Sequence, residues 1–167
     1  MKDTIETLVC PACGKLMKKV YLNNQGFFID VCTEGCGGVW FDNRELAKVD
    51  EKNEDIKELC EVYKEKTFSQ VDKNAERKCP VCGQKMVKNS VSAKREITID
   101  ECYSCGGKFF DYNELEQMRN QYENDEDRLA DIKKLTESSV KMEKMLQELL
   151  KQDRFCLLYT SPSPRDA

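Results

Sequence analysis

The chain of 167 residues contains no histidine. That absence removes the commonest general base at neutral pH. It also removes every metal set that mixes imidazole with thiolate. A phosphate-cradling glycine loop and a G-x-S-x-G nucleophile elbow are missing as well. Enzymatic chemistry is therefore not expected. No stretch comes near about 18 consecutive apolar residues, so no membrane-spanning helix is expected. The N-terminal MKDTIETLVC lacks the apolar core of a secretory signal. The expected location is a reducing cytoplasm, where clustered cysteines are metal ligands more often than disulfides. Hydrophobic residues make up 40% of the chain against 35% charged, which leaves no single large core to build.

What the chain does have is ten cysteines and a duplication. Cys10 to Leu46 reads CPACGKLMKKVYLNNQGFFIDVCTEGCGGVWFDNREL, and Cys79 to Leu115 reads CPVCGQKMVKNSVSAKREITIDECYSCGGKFFDYNEL. The offset is 69 residues at Cys10/Cys79, 70 at Asp30/Asp100 and Cys32/Cys102, and 69 again from Cys36/Cys105. Such self-similarity marks a repeated structural unit.

Each copy brings together two close cysteine pairs: Cys10-x2-Cys13 with Cys32-x3-Cys36, and Cys79-x2-Cys82 with Cys102-x2-Cys105. A short loop between two cysteines is a knuckle that points both thiolates at one spot. Two knuckles supply the four sulfurs of a tetrahedral structural zinc site, with no open position for water. Two zinc ions per chain are expected, with mononuclear iron as a minor alternative for the same donors. Gly14 and Gly83 follow the first knuckles; Gly37-Gly38 and Gly106-Gly107 follow the second. Phe27-x-Ile29-x-Val31 and Ile97-x-Ile99 alternate as in the second strand of a hairpin. Asn23-Asn24-Gln25-Gly26 is the expected turn of the first hairpin. Trp40, Phe41, Phe109 and Phe110 are expected to cover one side of each metal site.

The pattern C-P-x-C-G-x-x-M, then I-D-x-C, then C-G-G-x-[WF]-F-D-x-x-E-L resembles the TFIIB-type zinc-ribbon domain family found in small bacterial proteins. The resemblance covers both copies and implies two zinc ribbons, in a family named by analogy with a transcription factor. The x3 spacing at Cys32–Cys36 departs from the pattern and enlarges one knuckle by a residue. The expected fold is a small metal-stabilised α+β arrangement. It comprises two four-cysteine ribbons of a hairpin plus third strand, each followed by a helix, and a long C-terminal amphipathic helix. Units of about 40 residues need a metal or disulfides to fold, so metal binding and folding are one event.

The expected layout is a first ribbon over 1–46, a helical linker over 47–76, a second ribbon over 77–115 and a long helix over 116–153. Asp42 with Glu45, and Asp111 with Glu114, read as capping boxes that open each ribbon into a helix. Ile56, Leu59, Cys60 and Tyr63 recur at helical spacing, and Cys60 is expected to pack on the apolar face. Residues 68–77, FSQVDKNAER, read as a polar connection. Ile132, Leu135, Ser139, Met142, Leu146 and Leu149 follow steps of three and four. That seam has three uses open to it: packing on the ribbons, homodimerisation as a short coiled coil, or docking on a partner. Residues 156–166, CLLYTSPSPRD, are what a transposase-type sequencing adaptor encodes. The expectation is that 154–167 is adaptor read-through and the native C-terminus lies elsewhere.

Formal net charge is −4, and two loaded four-thiolate sites take it to about −8. That balance argues against general nucleic-acid binding, which needs basic surface. Local basic residues exist: Lys15, Lys18 and Lys19 in the first hairpin; Lys85, Lys88, Lys94 and Arg95 in the second. The favoured reading is a zinc-stabilised module docking on a protein, with the transcription or translation machinery as candidates. A nucleic-acid-binding ribbon pair using the basic hairpins is the first alternative. A thiol redox or zinc-responsive switch is the second.

Overall fold

A computed structural model of the chain describes residues 5–91 and 96–159. The structure divides between Gln121 and Tyr122 into two units. In the first, the alternating apolar residues form strands as their period demands. The first repeat gives β1 (Lys18–Leu22), β2 (Phe27–Val31) and β3 (Val39–Phe41). The second gives β4 (Val87–Ser90), β5 (Thr98–Glu101) and β6 (Lys108–Phe110). The turn between β1 and β2 falls at residues 23–26, where Gly26 has a φ of 75°.

The two ribbons join. All six strands form one antiparallel sheet in the order β1-β2-β3-β6-β5-β4, with β3 against β6 at its centre. Trp40 stands opposite Phe109, its own counterpart in the other repeat. A pseudo-two-fold axis therefore passes through that pair. Each repeat also leaves room for the other's ring. A Cβ on Gly38 would lie 2.2 Å from Phe109 Cζ, and one on Gly107 would lie 2.0 Å from Trp40 Cζ2. Only glycine fits at either point.

The sheet separates two cores. On one face lie Val20, Leu22, Phe27, Ile29, Val39, Phe41 and Phe110 with the helical segments. On the other lie Trp40 and Phe109 with the ligand cysteines and Met17 and Met86. The four aromatics expected together over the metal are thus split by the two-residue period of the strands. Phe41 and Phe110 meet edge to face on the far side, with ring centroids 5.7 Å apart.

The helices depart from expectation in three places. After the first ribbon only a 3₁₀ turn forms at Leu46–Lys48, and α1 waits until Lys57–Tyr63. After the second ribbon α2 spans Glu114–Arg119. In both repeats the glutamate reaches back as a capping box does: Asp42 N–H donates to Glu45 Oε2 at 2.8 Å and Asp111 N–H to Glu114 Oε2 at 2.9 Å. Yet the residue between, Arg44 or Asn113, is left-handed, with φ of 72° or 68°. Helical φ/ψ cannot run through it, so neither aspartate begins the helix. The long helix is also broken. Asn120 ends α2, and Asn124 Oδ1 accepts the Asp127 N–H at 2.9 Å to start α3 (Asp125–Tyr159). Ile132, Leu135, Met142, Leu146 and Leu149 on α3 are all exposed. Among the described residues no helix is long and apolar enough to cross a membrane.

Arg77, read from sequence as the end of a polar connection, is buried. Its Nη1 meets Asp100 Oδ2 at 2.8 Å and Asp111 Oδ1 at 2.9 Å, and its guanidinium lies 5.4 Å from the Phe109 ring centre. Burial favours the neutral form, but the two carboxylates outweigh it and hold the guanidinium above its usual range. The first repeat solves the same problem differently: Trp40 Nε1–H donates to Asp42 Oδ1 at 2.9 Å. Phe109 has no N–H to offer Asp111, and Arg77 takes its place. Removing one member of a buried pair leaves an uncompensated charge. Arg77→Ala is expected to destabilise the zinc-loaded protein by about 3–5 kcal/mol, measured by urea unfolding.

Candidate metal centres

Each knuckle is built by backbone bonds common to both repeats. The first knuckles are closed by Gly14 N–H donating to Cys10 O at 2.9 Å and Gly83 N–H to Cys79 O at 2.9 Å. In the second knuckles, Cys32 N–H donates to Gly38 O and Cys102 N–H to Gly107 O, both at 2.9 Å. β2 and β5 deliver Cys32 and Cys102, while β3 and β6 leave from the glycines.

These elements bring Cys10, Cys13, Cys32 and Cys36 together, and likewise Cys79, Cys82, Cys102 and Cys105, with all four sulfurs of each set within 4.8 Å of one another. The close pairs are Cys10–Cys36 at 3.5 Å and Cys13–Cys32 at 3.3 Å, and Cys79–Cys105 at 3.5 Å and Cys82–Cys102 at 3.4 Å. Sulfurs at the corners of a zinc tetrahedron, with Zn–S of about 2.3 Å, stand about 3.8 Å apart. The donor sets therefore fit two zinc ions, with iron as the minor alternative. None of these eight cysteines is in a disulfide.

The two sites differ in enclosure. Cys10, Cys32 and Cys36 are buried around the first, whereas Cys82 is exposed at the second. Hydrogen bonds to Cys32 and Cys36 push the Cys10 thiol up, and burial pushes Cys79 up. Four thiolates cannot be packed this closely without a cation. Cys82 goes the other way, down to about 7, because the Gln84 backbone and its sulfur neighbours favour its thiolate.

The enlarged knuckle contains Gly35. A Cβ there would lie 2.6 Å from Cys13 Sγ and 2.7 Å from Cys32 Sγ. The extra residue is accommodated because it has no side chain to meet the sulfurs. The connection between repeats straps this same knuckle. Ser69 N–H donates to Gly35 O at 3.0 Å, Lys66 Nζ to Thr33 O at 3.2 Å, and Tyr63 Oη–H to Gly37 O at 2.7 Å. Phe68 packs on Tyr63 and Tyr112 with ring centroids 5.4 and 4.7 Å away. Burial raises the Tyr63 phenol, which keeps it a donor. Sequence reading missed this strap. The one available signal was Phe68, a large aromatic in an otherwise polar run.

Four of the seven basic candidates are engaged within the protein. Lys19 pairs with Asp30 at 3.0 Å, Lys88 with Asp100 at 2.9 Å and Lys85 with Glu76 at 2.5 Å. Lys15 Nζ donates to Glu34 O at 2.5 Å, and Lys18 is exposed. Lys94 and Arg95 lie outside the described residues, as do residues 160–167 of the expected read-through tail. Cys60 belongs to neither sulfur set. It is exposed on α1 rather than packed, beside a cavity of about 200 Å³ lined by Leu59, Tyr63 and Leu115.

The sequence model of the transcription factor zinc-finger family, the TFIIB-type zinc ribbon, matches residues 9–52 and 78–120. Comparison with curated proteins and with solved structures finds no match. The two matched segments span more than half of the chain, which belongs to this family.

Gly35→Ala is expected to weaken zinc at the first site at least tenfold, read by chelator competition. Because raised thiols must lose protons to bind metal, affinity should climb as pH rises between about 6 and 8. Calorimetry in buffers of different ionisation enthalpy would count the protons released.

Proposed function

We propose that this member of the transcription factor zinc-finger family is a non-catalytic, zinc-stabilised module that docks on a protein through its first ribbon. The observation that carries this reading is a difference between the repeats. Val9 and Leu16 bridge in the first ribbon and are 50% and 66% exposed. Their counterparts in the second ribbon are Lys78 and Lys85, which form the same bridge. Tyr21 and Phe28 face each other across β1 and β2, each 43% exposed, with ring centroids 4.8 Å apart. Their counterparts are Ser90 and Thr98, paired in the same register.

The second ribbon is thus an internal control. It takes the same fold with polar residues at these four positions, so folding does not require the apolar ones. Exposed aromatic side chains without a folding role mark interaction surfaces. The exposed apolar residues of α3 offer further surface to a partner. Absence of histidine and four-sulfur sites with no open position support a role without catalysis. Lys19, Lys85 and Lys88 are paired with carboxylates of the chain, which weighs against their use on phosphate. The family's namesake makes the transcription machinery the first place to seek the partner.

The test exchanges residues between repeats. Tyr21→Ser with Phe28→Thr should retain two zinc ions and lose a partner that the unaltered chain captures from a native extract. Retention of that partner by the variant would sink the assignment of the first ribbon. A nucleic-acid adduct with steep salt dependence would sink the protein-docking reading.

A further inference from the structure

We infer that the two four-thiolate sites load as one unit, with Phe109 and Trp40 each positioning the metal site of the opposite ribbon. The route is short. Gly38 O accepts the N–H of Cys32, a first-site ligand, and Gly38 is packed against the Phe109 ring of the second repeat. Gly107 O accepts the N–H of Cys102, a second-site ligand, and Gly107 is packed against Trp40 of the first repeat. Each ring therefore presses on the backbone that holds a ligand in the other ribbon. Both rings and seven of the eight ligand cysteines, all but Cys82, belong to the same core on one face of the sheet.

Strand pairing carries the same dependence. β3 meets β2 through Asp30↔Trp40 and Val31↔Val39 only, but meets β6 through three pairs. β6 likewise meets β5 through Asp100↔Phe109 and Glu101↔Lys108 only. The third strand of each ribbon is thus paired with the opposite ribbon as well as with its own. The strand's first residue, Val39 or Lys108, directly follows the glycine that bonds the ligand. A ribbon of this size does not hold its fold without metal. Loss of one metal then removes from the other site its central strand partner and the ring over its knuckle.

The test is a thermodynamic cycle on the full chain, reduced and metal-free, titrated with zinc against a chelator. Native mass spectrometry counts the ions bound. One variant, Cys102→Ser with Cys105→Ser, retains only the first site. The other, Cys10→Ser with Cys13→Ser, retains only the second. For independent sites, the overall two-zinc constant of the unaltered chain equals the product of the two single-site constants. Coupling makes it larger. An excess of at least tenfold is expected, and loss of zinc binding in both single-site variants is the upper limit of the same result. An excess within about twofold of unity would overturn the inference. Phe109→Leu, which retains all eight cysteines, should reduce the excess. An unchanged excess in both Phe109→Leu and Trp40→Leu would remove the positioning role from the rings.

Discussion

The cross-strand pairing of Trp40 with Phe109 at the middle of the sheet, each ring seated on the other repeat's glycine, is the contact on which the rest of the first unit depends. Each three-residue third strand pairs with its own hairpin on one side and with its counterpart across the pseudo-two-fold axis on the other. The glycines that follow the second knuckles are the other half of this contact. They serve the metal loop and the central packing with the same atoms, since their carbonyls bond ligand cysteines and their bare Cα atoms receive the rings.

Around that axis the repeats have diverged in a compensated way. The first has Leu8, Trp40 and Asp42, with the indole N–H on the carboxylate. The second has Arg77, Phe109 and Asp111, with the guanidinium on the carboxylate and over the ring. The aspartate is half-buried in the first repeat and buried in the second, and a carboxylate taken out of water requires a donor. The donor's identity is free to change as long as one is present. The first ribbon also carries apolar surface on its hairpin, and its second metal loop is one residue longer and covered by the strap.

Much of this was legible in the amino-acid order. The cysteine spacing, the strand alternation and the turn at 23–26 depend on local rules, and the structure follows them. The one-sheet union of the ribbons was not legible, because CGGVWF and CGGKFF give no sign that each ring sits on the other copy's glycine. Arg77 looked like part of a polar run because its partners, Asp100 and Asp111, are distant in sequence. The left-handed turn at Arg44 was hidden for another reason: a capping-box spacing is the same whether or not the residue between is helical. Cys60 sat on an apolar helical stripe, yet it is exposed, at the edge of a cavity that Leu59 and Tyr63 also line.

The antiparallel meeting of β3 and β6 places equivalent residues opposite one another. In the language of assemblies such a contact is isologous: it is how two identical subunits would associate. Here both subunits reside on one polypeptide, so their association is intramolecular and does not dilute. A homodimer must change both halves with every substitution. A fused pair need not, and one half can keep the polar surface that preserves solubility while the other acquires the surface that recognises something else.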